Sequence, residues 1–431
     1  MARHTRRGIV LVATIGLVTA LSACTSGNSG SGGGNNAAAA VPGITATTVT
    51  VGSHQPLTGP AAPGYSKISP ATNAYFQWVN AHGGVNGRKI IYKVMDDTYN
   101  PATTVTVVHQ LVQQDKVFAI LNGLGTPTHT NVIQFLNDNK VPDLFVASGS
   151  TTWNQPQKYP WTFGYQTDYT VEGKVLGSYI KQNYAGQKVC FFGQGDDFGA
   201  DELAGVKLEL GDSGITSAQT YVVTNQNVGP QIGALKAAGC QVTVAATIPG
   251  FTALALGTAA QLKFQTQWMV SSVGADYNTV NGLLKVPPLL EGVITCGYLP
   301  STSSDTDPWI TLFKQINQQY NNNAPWDGNV EYGMSVGYLF VQALQAAGKN
   351  PTRESIVQAI EKGGFTGPGI VPLAFSSTNH SGYTGVQLAK ITNGQTVAFG
   401  SAYTTDDGSG PVVAYNGTEG AVPPNGIPAS G

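Results

Sequence analysis

Short apolar runs alternate with longer segments of helical period through the first third of the chain. The apolar runs have the length of buried strands, whereas the longer segments repeat apolar residues every three or four positions. In chain order, the segments are 49–52, 68–81, 89–95, 101–114, 117–121, 127–139 and 142–146. This repeated order of strand, helix and strand predicts a parallel sheet covered by helices on both faces.

A second series of strand-like runs predicts a second lobe of the same α/β architecture. These runs are 188–192, 219–223, 241–247, 267–271 and 292–297. Two later segments place their apolar residues on one helical face, as helices that pack against a core do. The apolar residues are Trp309, Leu312, Phe313, Ile316 and Tyr320 in the first segment, and Val336, Leu339, Phe340, Ala343, Leu344 and Ala347 in the second.

The start of the chain has the pattern of an export signal. Residues 8–21 form an apolar stretch that follows three arginines and is shorter than the ~20 residues needed to span a bilayer. The sequence Leu21-Ser22-Ala23-Cys24 resembles the lipobox of a bacterial lipoprotein. That resemblance implies a signal peptide at 1–23 and a lipid on Cys24. The protein would then be exported and anchored to the outer face of the cytoplasmic membrane, or held in the periplasm.

Composition separates a linker from a large globular body. Residues 24–43 are rich in Gly, Ser, Asn and Ala, which bury too little apolar surface to order a chain, so they predict a flexible linker. The body that follows exceeds what one hydrophobic core usually serves, which predicts at least two lobes. The formal net charge is −2 and the lysines and arginines form no cluster. A nucleic-acid partner is therefore not expected.

The sequence leaves the state of three further cysteines open. Cys190, Cys240 and Cys296 lie in or beside apolar, strand-like runs, where buried and unreactive thiols are common. A disulfide between Cys190 and Cys240 is the alternative, because an exported protein meets an oxidising environment. The chain contains no CxxC pair, so a zinc ribbon or a thioredoxin-type site is not predicted.

Binding, rather than catalysis, is the function that the motifs favour. The chain lacks the motifs GxSxG, HExxH and GxxxxGK[ST], and its six histidines show no metal-ligand spacing. We therefore expect no enzyme activity, no metal and no cofactor. Ligands of open parallel sheets bind beyond the carboxyl ends of the strands, and two facing lobes form a cleft that can close around a small molecule.

Five motifs carry a resemblance to a known family. They are Pro56-Leu57-Thr58-Gly59, Asn80-Ala81-His82-Gly83-Gly84-Val85-Asn86-Gly87-Arg88, Asp96-Asp97 followed by Asn100-Pro101, Gly125-Thr126-Pro127, and Asp197-Phe198-Gly199. In order and approximate spacing they resemble type I periplasmic binding proteins, in particular the branched-chain-amino-acid-binding receptors of ABC transporters. The resemblance covers roughly residues 44–397.

The resemblance implies a fold and a domain division. The expected fold is α/β, with two doubly wound parallel-sheet lobes joined by a three-crossover hinge. The N-terminal lobe would comprise 44–163 and 299–368, and the C-terminal lobe 165–296 and 370–415. A flexible tail would occupy 416–431.

The resemblance also implies a function. The chain would be the solute-binding receptor of an ABC importer, and its partners would be a small organic solute and the permease subunits. The solute would be amino-acid-like, an amide or a carboxylate. A lipoprotein that presents a solute to a signalling partner is the alternative, and an enzyme on the same fold is a more remote one.

The loop at Gly125 is the first candidate for ligand binding. Thr126 can cap a helix and Pro127 suits its first turn, so a helix is expected to start here. The amides of Thr128 and His129 would then be free to bind a carboxylate or another acceptor. In the family, the matching loop grips the polar end of the ligand, which makes Gly125, Thr126 and Thr128 candidate binding residues. An ordinary helix cap is the alternative.

Five further residues are candidates by their place at strand ends. Ser148 and Ser150 follow an apolar strand, and the family's matching loop supplies hydrogen bonds to the ligand; plain turn chemistry is the alternative. Phe198 matches a position where an aromatic ring closes over the ligand from the second lobe. Thr247 and Ser272 fall where second-lobe residues contact the ligand.

Ser272 departs from the family pattern. Members that bind ordinary amino acids usually place a carboxylate near this point, because the buried ammonium of the ligand needs a partner. Here the chain offers hydroxyls, with Asp276 slightly later. A standard α-amino acid is therefore not expected unless Asp276 or the pair Asp196-Asp197 turns inward. The candidates for aromatic lining are Tyr65, Phe251, Tyr277, Tyr298 and Tyr332.

Overall fold

The computed structural model describes residues 40–418 and 420–429. The expected signal peptide, the lipid attachment at Cys24 and nearly all of the expected linker lie outside the described residues. From Val41 onward the chain forms a single structural unit that contains two sheets. Within the described ranges, no helix has both the length and the apolar character that crossing a membrane requires.

A five-stranded sheet is formed by the first part of the chain. Its elements are β1 (Thr48–Gln55), α1 (Ala62–Tyr65), α2 (Ile68–Ala81), β2 (Lys89–Asp96), α3 (Pro101–His109), β3 (Ile120–Leu121), α4 (Thr126–Thr130), α5 (Ile133–Asp138), β4 (Asp143–Val146) and β5 (Thr162–Gly164). The strands are parallel, in the order β2-β1-β3-β4-β5. Because the order reverses between β1 and β3, the loops after these strands border the crevice where such sheets bind ligands.

The second part of the chain repeats this arrangement. Its elements are α6 (Tyr169–Asn183), β6 (Val189–Gln194), α7 (Asp197–Leu210), β7 (Ile215–Tyr221), α8 (Gly229–Ala238), β8 (Val242–Ala246), α9 (Pro249–Gln261), β9 (Gln267–Val270), α10 (Tyr277–Leu284) and β10 (Ile294–Gly297). The strands are again parallel, in the order β7-β6-β8-β9-β10. The switch in strand order lies between β6 and β8.

The last part of the chain contributes to both sheets. Helices α11 (Pro308–Tyr320), α12 (Gly328–Ala346) and α13 (Arg353–Glu361) return to the first sheet, where α11 and α12 pack against α2. Strands β11 (Gly385–Thr392), β12 (Gln395–Thr404) and β13 (Val413–Tyr415) extend the second sheet beyond β10 in antiparallel order. We call the five-stranded sheet with α1–α5 and α11–α13 the first lobe. The eight-stranded sheet with α6–α10 is the second lobe.

The two parallel-sheet lobes confirm the expected α/β fold, and the differences lie in individual elements. Helix α2 has the bounds 68–81 that the apolar period predicts. The segment 127–139 instead splits into α4 and α5. The hydroxyls of Thr128 and Thr130 donate to carbonyls of the preceding turn, which competes with a continuous helix. The strand expected at 219–223 is Ile215–Tyr221, in which exposed and partly buried residues alternate as they do on an edge strand.

Residues 420–427 differ from the expected flexible tail at 416–431. The indole N–H of Trp78 donates to Asn425 O at 2.9 Å, and the hydroxyl of Tyr75 donates to Gly426 O at 2.7 Å. Trp309 donates in the same way to Gly420 O at 2.6 Å. The composition of the segment gives no sign of these contacts, because its backbone carbonyls make them. They accept from aromatic side chains of α2 and α11. The chain therefore returns to the first lobe after β13.

One disulfide and one thiol account for the three cysteines of the described body. Cys190 in β6 and Cys240, just before β8, are joined by a disulfide, which ties two neighbouring strands of the second sheet. Cys296 in β10 is a buried free thiol. The sequence left buried free thiols and a Cys190–Cys240 disulfide as alternatives, and the structure contains the disulfide.

A buried lysine holds the loop after β12 in place. Lys174 of α6 is 1% exposed, and its ammonium donates to the carboxylate of Asp406 at 2.9 Å. It also donates to three backbone carbonyls, those of Asp406, Gly408 and Gly410, at 2.7–2.9 Å. The hydrogen bond from Lys174 holds the pKa of Asp406 below its usual value. The ammonium thus supplies the positive charge around which this loop folds.

A buried chain of four side chains supports the loop after β3. Asp97 accepts from His54 Nδ1 at 2.8 Å, His54 Nε2 lies 2.9 Å from His129 Nδ1, and His129 Nε2 lies 2.8 Å from Asp143. All four side chains are fully buried. The gap between the two rings has room for only one proton, because two N–H groups would otherwise point at each other. The two histidines therefore cannot both be doubly protonated.

The lysine leads to a prediction about stability. Replacing Lys174 by Met should lower the free energy of unfolding by about 2–4 kcal/mol, because three backbone carbonyls and a carboxylate lose the buried donor that they share. Urea denaturation measures the change. Lys181→Met is the control, since Lys181 lies on the same helix, is 63% exposed and pairs with Glu209 at only 3.7 Å. Equal losses in the two variants would contradict this role of Lys174.

The histidine chain leads to a prediction about pH. Burial is the main cause that lowers the pKa of His54, and the nearby His129 lowers it further. Asp97 acts in the opposite direction, but the net shift of the pKa is downward. Below about pH 6.5 the unfolded chain takes up a proton on this residue that the folded chain resists, so stability should fall as the pH falls. In urea denaturation at about pH 7.5 and pH 5, His54→Gln should lose less stability with acidification than the wild type. The control is His82→Gln, at an exposed histidine, which should lose as much stability on acidification as the wild type does. Identical falls in all three proteins would refute the assignment.

Candidate functional site

A cavity of about 260 Å³ lies between the two lobes. One wall comes from the loops after β2, β3 and β4 and from the start of α12. The other wall comes from the start of α6 and from the loops after β6, β8 and β9. Both walls therefore lie at the carboxyl ends of parallel strands, next to the switch points of the two sheets. The cavity extends to the hinge, where Tyr298, Ile370 and Gln387 line it.

Hydrogen bonds between the lobes hold the cleft closed. The hydroxyl of Tyr65 donates to Val273 O at 2.9 Å across the cavity. The amide of Thr151 donates to the carboxylate of Asp201 at 3.0 Å. The side chain of Gln194 donates to the hydroxyl of Tyr99 at 3.2 Å. The structure is thus a closed form in which each lobe contributes to enclosing the cavity.

The loop after β3 places Gly125 and Thr126 on the first-lobe wall. Gly125 has φ of 105°, and a Cβ there would lie 2.5 Å from the ring of Tyr99, so only glycine fits. Gly125, not Thr126, is the residue that precedes α4. The amide of His129 already donates to Gly125 O at 3.0 Å, and α4 has only five residues. The amide of His129 is therefore not free to bind an anion, contrary to the expectation from the sequence.

Hydroxyl groups form the polar end of the cavity instead. Thr126 Oγ1 lies 2.7 Å from Ser148 Oγ, and the hydroxyl of Tyr169 interacts with both. Burial raises the pKa of Tyr169, so its hydroxyl keeps its proton and can donate. The hydroxyls of Thr126 and Tyr169 thus meet at the cavity wall, and the buried hydroxyl of Ser148, from the loop after β4, lies behind them. Such a cluster can hold the oxygen atoms of a carboxylate or an amide.

Four of the eight candidate residues line the cavity: Gly125, Thr126, Phe198 and Ser272. The ring of Phe198 stands 4.5 Å from that of Tyr169, centre to centre, and forms an apolar wall on the second-lobe side. The other four candidates have different partners.

The remaining candidates make local hydrogen bonds. Thr128 donates to Leu124 O at 2.6 Å, and Thr247 Oγ1 lies 2.6 Å from Thr252 Oγ1. Ser150 accepts from the amide of Thr152 at 3.3 Å, which caps the short turn that follows. Ser148 is buried, and its hydroxyl lies 2.7 Å from that of Thr126. These side chains support the walls and are not part of the lining surface.

Ser272 rests on a buried carboxylate from another element. Its amide donates to Glu172 Oε1 and its hydroxyl donates to Glu172 Oε2, both at 2.7 Å. Glu172 lies on α6 and is fully buried. Burial raises the pKa of Glu172, while the hydrogen bonds from Ser272 and Ser271 oppose this shift. The carboxylate that the sequence lacks near residue 272 is thus supplied by α6, behind Ser272.

Two carboxylates line the cavity directly. Asp276 caps α10 by accepting from the amide of Thr279 at 2.8 Å, and it also accepts from the amide of Gly328 at 3.1 Å. Glu331 of α12 is the second, and it is buried. Among the described residues, no Lys, Arg or His lines the cavity. The electrostatic character of the lining is therefore negative or neutral.

Aromatic rings make up much of the remaining surface. Tyr65, Tyr298 and Tyr332 line the cavity, whereas the other two aromatic candidates, Phe251 and Tyr277, are absent from its lining. Sequence reasoning missed Tyr99 and Tyr169, which also line it. Tyr99 could have been found, because it lies just beyond the carboxyl end of β2. Tyr169 follows β5, a strand of three residues that is too short to show in the apolar pattern.

Comparison with known proteins places the chain in a family. The family model described as periplasmic binding protein matches residues 48–396. The Leu/Ile/Val-binding protein homolog 1 of Brucella suis biovar 1 is 25% identical over 341 residues, which cover 78% of this chain and 88% of that protein.

Solved structures share the fold. A branched chain amino acid ABC transporter protein from Thermus thermophilus, with bound valine, has a TM-score of 0.75 at 21% identity, and the match covers 84% of this chain and 97% of that one. A fatty acid ABC transporter substrate-binding protein from Thermomonospora curvata has a TM-score of 0.75 at 22% identity, over 87% and 98% of the two chains. The resemblance that the motifs indicated is confirmed. The chain belongs to the periplasmic binding protein family.

Proposed function

We propose that this protein is the extracytoplasmic solute receptor of an ABC importer. It captures a small polar organic solute, amino-acid-like, an amide or a carboxylate, in the cavity between the lobes. The observation that carries the proposal is the cavity between the lobes, with the hydroxyls of Thr126 and Tyr169 at one end, backed by Ser148, and aromatic rings along its walls. A lipid on Cys24 would keep the receptor at the membrane surface beside the permease subunits.

The arrangement supports capture followed by closure. Gly125 and Thr126 on one lobe, with Phe198 and Ser272 on the other, are the proposed ligand contacts. A solute that touches both lobes binds the closed form more tightly than the open form, and this difference in affinity drives closure. The permease would then recognise the closed receptor. No step of this cycle breaks a covalent bond in the solute.

Thermal unfolding of the chain from Val41 tests the proposal. The probes are amino acids, amides and urea, aliphatic and aromatic acids, and small sugars. A probe at 100 times its dissociation constant should add ~2.7 kcal/mol to the free energy of unfolding. Thr126→Val should weaken binding of that probe by about 0.5–1.5 kcal/mol through one lost hydrogen bond, whereas Thr130→Val, on the exposed side of the same helix, should not. A panel in which no probe raises the unfolding temperature would count against the function.

Closure itself can be tested at a distance from the cavity. Asp201 does not line the cavity, but it accepts from the amide and the hydroxyl of Thr151 on the opposite lobe. Asp201→Ala should weaken binding of the probe identified above about 3- to 10-fold, because the closed form loses these bonds. Isothermal titration calorimetry measures the change. Asp212→Ala, at an aspartate that is 89% exposed, should bind the probe as the wild type does. Unchanged affinity in Asp201→Ala would argue against closure at this interface.

A further inference from the structure

The contact between Glu172 and Ser272 fixes the direction of a hydrogen bond inside the site. Both oxygens of the carboxylate accept from the same residue, one from its amide and one from its hydroxyl, at 2.7 Å each. In this contact the hydroxyl of Ser272 is the donor and Glu172 Oε2 is the acceptor. The lone pairs of Ser272 Oγ are then the part of the group that remains available to the cavity.

On the basis of the function proposed above, we propose that Glu172 is a positioning residue that selects the chemical class of the solute. It holds Ser272 as a hydrogen-bond acceptor and sets a negative charge behind it. The second-lobe side of the site therefore takes a solute with N–H donors, an ammonium or an amide, and disfavours the same carbon skeleton without nitrogen. The hydroxyls at Thr126 take the oxygen atoms at the other end.

The surrounding charges favour the same solute class. Among the described residues, no basic side chain forms an ion pair with Glu172, and none lines the cavity. Asp276 lines the cavity but is occupied by two backbone amides. A solute that carries only a carboxylate would bring a second negative charge to this side of the site. An ammonium would instead supply the positive partner that a buried carboxylate needs.

A conservative substitution reverses the hydrogen bond without removing it. In Glu172→Gln the amide oxygen can still accept from the amide of Ser272, and the NH₂ group can donate to the hydroxyl. Ser272 is then free to donate into the cavity and is no longer held as an acceptor. The fold and the volume are retained while the polarity of the site changes. Glu202→Gln is the matched control, because Glu202 is also fully buried and lies close to Glu172, but forms no hydrogen bond with Ser272.

The measurement is the ratio of affinities for matched pairs of probes, by calorimetry on the chain from Val41. The pairs are L-leucine with 4-methylpentanoate, L-valine with 3-methylbutanoate, L-phenylalanine with 3-phenylpropanoate, and acetamide with acetate. The wild type should prefer the nitrogen-bearing member of the pair that it binds. Glu172→Gln should reduce that preference about 10- to 100-fold, since hydrogen bonds to a charged group are the stronger ones. Glu202→Gln should keep the preference.

Each outcome decides between the two proposals. A reduced preference in Glu172→Gln alone supports Glu172 as the selecting residue. Binding with the same preference in Glu172→Gln and the wild type, or a wild type that prefers the nitrogen-free member, overturns the inference and leaves the receptor function standing. A wild type that binds no member of these pairs and no probe of the wider panel overturns both. Folding of each variant is checked by its unfolding temperature without ligand.

Discussion

Burial of ionisable side chains is the constraint on which this structure depends, because a charge removed from water must find its partner inside the protein. Three such groups each hold part of this structure in place. The histidine pair and its two aspartates support the loop that carries Gly125 and Thr126. Lys174 holds the loop after β12 in place, and Glu172 holds Ser272 by two hydrogen bonds. Helix α6 carries two of these residues on different faces, so the same helix braces the outer loop and the ligand-facing wall.

Most of the fold could be predicted from sequence because apolar periodicity survives in it. Helix α2 and most of the parallel strands follow their apolar runs, whereas β5 is too short to show and β7 begins earlier than expected. Strands β11–β13 escaped prediction. Polar residues interrupt the apolar positions of the mostly buried β11, and β12 and β13 are largely exposed. The site was predictable only in part. Residues that follow a strand, such as Thr126 and Ser272, were found, whereas Glu172 was missed because it lies in the first turn of a helix and reaches the site through another side chain.

The fold alone does not identify the ligand of a protein that has it. One structural neighbour is described with bound valine and another as a fatty acid ABC transporter substrate-binding protein, and both share this fold at similar TM-scores. In this chain the cavity walls carry hydroxyl groups that are themselves hydrogen-bonded, and the hydroxyl of Ser272 is held by the carboxylate of Glu172 behind it.

The chain that follows β13 has a mechanical consequence for the receptor. The lobes are already connected where β5 leads to α6, β10 to α11, and α13 to β11. The contacts of Gly420, Asn425 and Gly426 with aromatic residues of α2 and α11 add a fourth connection. While these contacts hold, the contour length of the chain between β13 and Gly420 limits how far the two lobes can separate. Wider opening would first have to break the hydrogen bonds that Trp78, Tyr75 and Trp309 donate.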